Sequence, residues 1–298
     1  MKIKREEARK EFQRRNQNLY DEYAALEKKH VMSETKKAQW IEGNPLVSKA
    51  LFLAHGYMGS PNEMLYLAQP FIKAGWTVVG FLIPGHGASS EISNAFSSER
   101  WRQEMQNQLS LVLDSFEEVR AVGFSTGGLL LQDFMIHHQV PHSLKSVHLI
   151  SPYFIQFLGK HLRLLDGIVE LLFNNITVDR AYALSRFPDL LVMKRDRHSY
   201  CAKIPLTCAR EIKELGRQVY LKGKPAEKLK IPTQLFISEN DWTVETEASK
   251  FVILRDIEKE NVDVIWFAGS EPHHLMAPAV SGVAETIRDS IFSYCTSP

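Results

Sequence analysis

Six short apolar runs recur along the chain with helix-patterned stretches between them, and this alternation narrows the fold more than any other feature. The runs are residues 49–54 (KALFLA), 77–83 (TVVGFLI), 119–123 (VRAVG), 144–150 (LKSVHLI), 233–238 (TQLFIS) and 262–267 (VDVIWF). Strands buried on both faces read as nearly continuous apolar runs, whereas strands with one wet face alternate. Residues 62–74, 99–116, 127–137 and 283–294 carry helical patterns beside them. Strand and helix in turn predict an α/β architecture: a mostly parallel central sheet with helices on both faces.

Two stretches break the rhythm. Residues 1–36 are charged and free of Pro and Gly through residue 36, with Phe12, Leu19, Tyr23 and Leu26 as a loose apolar stripe. They are expected to form an amphipathic helical extension lying on the main domain. Residues 151–230 hold helical patterns and no convincing strand, between two strands of the expected sheet. Such an insertion after a strand's carboxyl end is expected to be a helical cap or lid over a site. The core is then residues 37–150 and 231–298.

Gly123-Phe124-Ser125-Thr126-Gly127-Gly128 joins the third run to a helical stretch. A Gly-x-Ser-x-Gly string alone is common by chance, but its place between strand and helix is informative. It sets Ser125 on a sharp turn, with the N–H groups of a helix N-terminus aimed at negative charge developing beside it. A serine hydroxyl needs a base to act as nucleophile, and the base needs an orienting acid. Asp241 follows the strand run 233–238 in the loop Glu239-Asn240-Asp241, with Glu239 as competing acid and Glu271 as a weaker one. The last run leads into Glu271-Pro272-His273-His274-Leu275. His273 is the expected base and His274 its alternative.

The first run ends in His55-Gly56-Tyr57-Met58-Gly59. Glycine there lets the chain turn so that the next backbone N–H, that of Tyr57, points into the site. With the N–H of Thr126 it makes a two-donor oxyanion hole, each donor worth about 3–4 kcal/mol to the transition state. His55 is expected to brace this loop, and Pro84-Gly85-His86-Gly87 to be a packed turn supporting the elbow. No spacing among His55, His86 and His273 marks a metal site, so no metal or cofactor is expected.

Taken in order, HGYMG, PGHG, GFSTGG, END and PHHLM resemble the α/β-hydrolases, most closely the carboxylesterase and monoglyceride lipase group, over roughly residues 39–294. The resemblance implies an α/β-hydrolase fold with an inserted lid, and a serine esterase or lipase-like enzyme forming an acyl-enzyme. It implies Ser125, Asp241 and His273 as the triad, because an apolar residue stands two places after His273, and Tyr57 and Thr126 as oxyanion donors. An acyltransferase or thioesterase using the same serine, or a non-catalytic ligand-binding member of the fold, are the alternatives. The substrate is expected to be a small ester with an apolar acyl group. Phe154, Ile155, Phe157, Leu158, Leu165, Ile168, Leu172 and Phe173 are candidates to line the acyl pocket, or else plain core.

Composition excludes other classes. Lys and Arg number 36 against 35 Asp and Glu, a net charge of +1 that gives no field for nucleic acid. Residues 154–173, the most apolar helical stretch, are interrupted by Lys160, His161, Arg163, Asp166 and Glu170, too many charges for a transmembrane segment. Three cysteines, Cys201, Cys208 and Cys295, cannot all pair, and the charged N-terminus lacks a signal-peptide core. A cytoplasmic location is expected.

Overall fold

The side chains of the central apolar runs point alternately to the two faces of a sheet, and both faces are dry there. Ala50, Phe52 and Ala54 enter one apolar cluster, whereas Leu51 and Leu53 enter the other. In the computed structural model, which describes residues 4–28, 32–156, 177–185, 188–196, 198–269 and 272–297, the runs form one seven-stranded sheet. Its strands are β1 (Gln39–Ile41), β2 (Lys49–Ala54), β3 (Thr77–Phe81), β4 (Glu118–Phe124), β5 (Leu144–Ile150), β6 (Thr233–Ser238) and β7 (Val262–Phe267). The order is β1-β3-β2-β4-β5-β6-β7, parallel except where β1 runs against β3. Helices α1 (Arg5–Leu26), α2 (Leu65–Lys73), α3 (Ser90–Ser93), α4 (Ser98–Ser115) and α5 (Thr126–His137) precede β5 or lie between the early strands. After β5 come α6 (Val178–Ser185), α7 (Pro188–Arg195), α8 (Leu206–Leu221), α9 (Thr246–Asp256) and α10 (Ala284–Thr296). This is the α/β-hydrolase architecture. Among the described residues no helix is long and apolar enough to cross a membrane.

Strand order positions the site. From β2 the chain crosses to β3 on one side, then returns to lay β4 along the other side of β2. Loops leaving the carboxyl ends of β2 and β4 therefore diverge and open a crevice, the place where open α/β sheets bind ligands. The register pairs Ala54 with Gly123, so His55-Gly56-Tyr57 and Phe124-Ser125-Thr126 emerge side by side.

Helix α1 buries Ala8, Phe12, Asn16, Leu19 and Tyr23, a stripe at three- and four-residue spacing against α4 and the β1 edge. Phe12 meets Trp40 with ring centroids 5.5 Å apart, and Arg5 donates to the carbonyl of Val47 at 2.6 Å. Leu26, counted in the expected stripe, is instead exposed, because the helix ends there and leaves the surface. Tyr23 Oη accepts the N–H of Gly85 at 2.6 Å, tying the extension to the turn after β3.

Two further expectations change. The short strand β1 carried no signal in the sequence; its three half-buried residues pair, among the described residues, with β3 alone. Run 262–267 reads as buried, but β7 is the opposite edge strand and none of its residues is fully buried. Lys250 lies over the exposed ring of Trp266 there, 5.2 Å from its centroid.

Helix α8 lies within residues 151–230, yet its buried face of Cys208, Ile212, Leu215 and Val219 belongs to the main core. Buried Arg255 anchors its end. The guanidinium donates to the carbonyls of Val219, Tyr220 and Lys222 and pairs with Asp256 at 2.6 and 2.7 Å. A cation on a helix's last carbonyls is favourable, and here its charge is also compensated.

Candidate active site

Ser125 stands between β4 and α5 with φ +50° and ψ −111°, a conformation that side chains other than glycine adopt only when their surroundings impose it. Those surroundings are tight. A Cβ on Gly127 would lie 2.1 Å from the carbonyl oxygen of Ala54, and one on Gly123 would lie 2.7 Å from Gly128 Cα. Only glycines at both positions let strand, turn and helix approach this closely. Ser125 N–H donates to Ile150 O and Ser125 O accepts from Tyr153 N–H, so β5 and its following loop hold the turn as well.

Three of the expected side chains meet here. Asp241 accepts a hydrogen bond from His273 Nδ1–H at 2.8 Å, which leaves Nε2 as acceptor for the Ser125 hydroxyl at 2.9 Å. Asp241 is fixed in turn by the N–H groups of Thr243 and Val244, both donating to Oδ1 at 2.8 and 2.9 Å. All three residues are buried. Glu239, the competing acid, is exposed, and Glu271 lies outside the described residues. His274 is buried too, but its ring stands at 89° to that of His273 and packs on Phe124 and Tyr200.

The turn after β2 brings Tyr57 to the same cavity as Ser125 and Thr126. Its peptide planes are anchored one by one. His55 Nδ1–H donates to Gly56 O at 2.9 Å while Ile83 N–H donates to His55 Nε2 at 3.1 Å, which uses both ring nitrogens. Burial holds His55 well below the ordinary histidine pKa, helped by neighbouring His86. A trans peptide points its C=O and N–H in opposite directions, so fixing Gly56 O behind the turn aims Tyr57 N–H away from it. The phenol of Tyr57 is spent elsewhere, donating to Pro205 O at 2.7 Å. On the other wall, Thr126 N–H is the first N–H of α5 and lacks an intrahelical acceptor by its position.

His86 belongs to the turn Pro84-Gly85-His86-Gly87, where its ring packs on His55, Tyr57 and Trp101. Burial pushes its pKa down to about 4. With their rings buried in this stack, His55 and His86 act as neutral braces. Among the described residues no group of three His, Cys, Asp or Glu side chains is arranged to hold a metal.

The cavity in front of Ser125 has a volume of about 310 Å³. Its wall is mainly apolar, with Met58, Tyr153, Met193, Ile204, Ile212 and Trp242 around the serine and the two histidines. Of the residues expected to line an acyl pocket, Phe154 is packed in the main core instead, and its neighbours Tyr153 and Gln156 reach the cavity. Ile155 is half-buried, its C=O accepting from Glu245 N–H, while Phe157, Leu158, Leu165, Ile168, Leu172 and Phe173 lie outside the described residues.

One site residue carried no sequence signal. Glu63 is buried under the turn after β2, accepting the N–H of Gly56 on one carboxylate oxygen and the Tyr200 hydroxyl on the other. In the sequence it reads as an acid in the first turn of a helix, where carboxylates are ordinarily exposed and stabilise the helix end.

The fold has counterparts among known proteins. A 99-residue stretch is 28% identical to the thermostable monoacylglycerol lipase of Bacillus sp. (strain H-257), covering 33% of this chain and only 38% of that relative's length. Among solved structures, the monoacylglycerol lipase of Paleococcus ferrophilus superposes with a TM-score of 0.63 at 16% identity, over 87% of this chain and 98% of the other. A soluble variant of monoglyceride lipase from Saccharomyces cerevisiae, bound to a substrate analogue, matches with a TM-score of 0.63 at 13% identity, over 90% and 94% of the two chains. At such identities the two structures are alike in fold. Residues 46–276, well over half of the chain, match the family described as serine aminopeptidase, S33, and the protein is a member of that family of α/β-hydrolases.

Proposed function

We propose that the protein hydrolyses carboxylic esters through an acyl-enzyme on Ser125. The observation that carries this reading is the unbroken chain Asp241–His273–Ser125, with separations of 2.8 and 2.9 Å, opening on an apolar cavity. His273 Nε2 takes the hydroxyl proton as Ser125 Oγ bonds to the ester carbonyl carbon. The carbonyl oxygen becomes an oxyanion, which the N–H groups of Tyr57 and Thr126 hold, while Asp241 stabilises the imidazolium. Collapse breaks the bond to the alcohol oxygen, which leaves with the proton from His273. Water then repeats the sequence on the acyl-enzyme: His273 takes its proton, the acid departs, and Ser125 regains its hydrogen.

The apolar wall around Ser125 supports an apolar acyl group of short or medium length, and likeness to monoacylglycerol lipases points the same way. Residues 151–230 act as the cap in this reading, since Tyr153, Met193, Ile204 and Ile212 from that stretch face the cavity. Hydrolysis of p-nitrophenyl esters of graded chain length, by wild type and Ser125→Ala, tests the proposal. The wild type turns over esters and is labelled by a fluorophosphonate, while the variant does neither. Equal background turnover of esters, thioesters and amides by both proteins would sink it. Acyl transfer to an added alcohol in preference to water would point to an acyltransferase.

A further inference from the structure

Glu63 takes no part in the mechanism above, although it is a buried acid within reach of the oxyanion turn. It lies on the short helical turn Pro61–Met64, and its side chain is 2% exposed. It is packed so closely that a Cβ on Gly59 would come within 2.5 Å of Glu63 Oε1. One oxygen holds Gly56 N–H, a single residue before the oxyanion donor; the other holds Tyr200, which belongs to residues 151–230.

Neighbouring contacts repeat that link. Asn62 Nδ2–H donates to Ser199 Oγ at 2.8 Å, and Cys201 N–H donates to Met58 O at 3.2 Å. Met58 itself sits at φ +60°, buried among Val178, Val192, Met193 and Tyr200. A methionine keeps a left-handed backbone only where packing imposes it. Glu63 holds the turn at Gly56, and residues 199–201 hold it at Met58 and bond to Asn62 and Glu63 beside it.

We infer that Glu63 is a positioning residue for the oxyanion donor Tyr57, and that through Tyr200 it ties the seating of residues 199–201 to the shape of the oxyanion turn. The inference rests on the ester-hydrolase reading. With the Glu63 acceptor weakened, the peptide between His55 and Gly56 can rotate, and the next N–H moves off the position where the oxyanion forms. That donor matters only once negative charge develops, so the loss falls on kcat and leaves KM nearly unchanged.

His55, Tyr200, His274 and Asp196 are the titratable groups that face Glu63 from the surrounding elements, with His55 Nδ1 4.0 Å from its carboxylate. Burial raises its pKa to about 7, against the opposing pull of His274, Tyr200 and Gly56 N–H. Protonation therefore weakens the acceptor as pH falls through that region.

Glu63→Gln keeps the volume and removes the charge. The experiment measures p-nitrophenyl ester hydrolysis across pH, with inhibition by an alkyl trifluoromethyl ketone, whose adduct with Ser125 places an oxyanion in the hole. In Glu63→Gln, kcat at alkaline pH falls on the order of fivefold or more and KM stays within about twofold. Ketone affinity drops by a similar factor, and the acidic limb of kcat loses one ionisation. Tyr200→Phe gives a smaller effect of the same form, and decides the matter alone if Glu63→Gln does not fold. Unchanged kcat, ketone affinity and acidic limb overturn the inference and leave the ester-hydrolase reading standing. A folded wild type that turns over no ester overturns that reading, and the inference with it.

Discussion

Asp241 spends both carboxylate oxygens in the structure: Oδ2 takes the Nδ1 proton of His273 at 2.8 Å, and Oδ1 takes the N–H groups of Thr243 and Val244. A carboxylate held at three points cannot swing, so the imidazole it carries keeps Nε2 turned to Ser125. Glu239, two residues earlier, is exposed at the strand end and cannot substitute.

Asp241→Asn is expected to lower kcat by roughly 10³–10⁴, because an amide cannot select the tautomer that offers Nε2 to the serine. Glu239→Gln should leave kcat within about twofold. Steady-state hydrolysis of a p-nitrophenyl ester reads both; comparable losses in the two variants would mean that the acid has been misassigned.

The two adjacent histidines separate by the same assay. His273→Ala loses turnover and fluorophosphonate labelling together. His274→Ala removes a wall of the cavity, so KM shifts while labelling persists and kcat stays within about tenfold. Labelling retained in the first variant and lost in the second would reverse the assignment.

Two glycines predict opposite outcomes. Gly127→Ala drives a methyl group to 2.1 Å from a backbone carbonyl of β2, which has no room to give. It should destabilise by more than about 4 kcal/mol or abolish soluble expression. Gly223→Ala has nothing within 4 Å of the new Cβ and should be neutral or stabilise by up to about 1 kcal/mol. Urea unfolding of both variants checks the contrast, and a tolerated Gly127→Ala contradicts the packing described for the elbow.

Tyr23→Phe strips the acceptor from the buried N–H of Gly85. The cost is about 1–3 kcal/mol, seen as a fall in Tm of roughly 2–6 °C. An unchanged melt would show that α1 only rests on the core and does not brace the turn after β3.

Stability should fall in mild acid, and His148 is one cause. It is buried, hydrogen-bonded to Ser146 and Gln234, and burial pushes its pKa down to about 3. The unfolded chain binds that proton near pH 6.5 and the folded chain does not, so its contribution is complete above about 6.5 and is lost as pH falls toward 3. The slope from this one group is at most about 1.4 kcal/mol per pH unit. Glu63 has the opposite sign: raised to about 7, its contribution is present below its ordinary 4.5 and lost as pH rises through 7. Comparison with His148→Gln isolates the histidine. The stability gap between wild type and variant should narrow from pH 7.5 to 5, and a constant gap would argue against a neutral buried His148.

The turn residues and apolar runs were legible in the sequence because their causes are local. A strand buried on both faces must be nearly all apolar, and a backbone that passes 2.1 Å from where a Cβ would sit must use glycine, as at Gly127. The alternation therefore determined the α/β class, and GFSTGG, set between strand and helix, marked the elbow. Tertiary structure decided whatever depends on groups distant in the chain. Strand β1 forms through its pairing with β3, and β7 is half exposed because it is an edge strand among the described residues. His273 and His274 are neighbours of one chemical type, and it is the arrival of Asp241 from another strand end that links His273 to an acid on one side and to Ser125 on the other. Glu63 looks like a solvated helix-start acid until the turn after β2 and Tyr200 close over it. Local constraint leaves a mark on residue type; the burial of a polar side chain by remote segments leaves none.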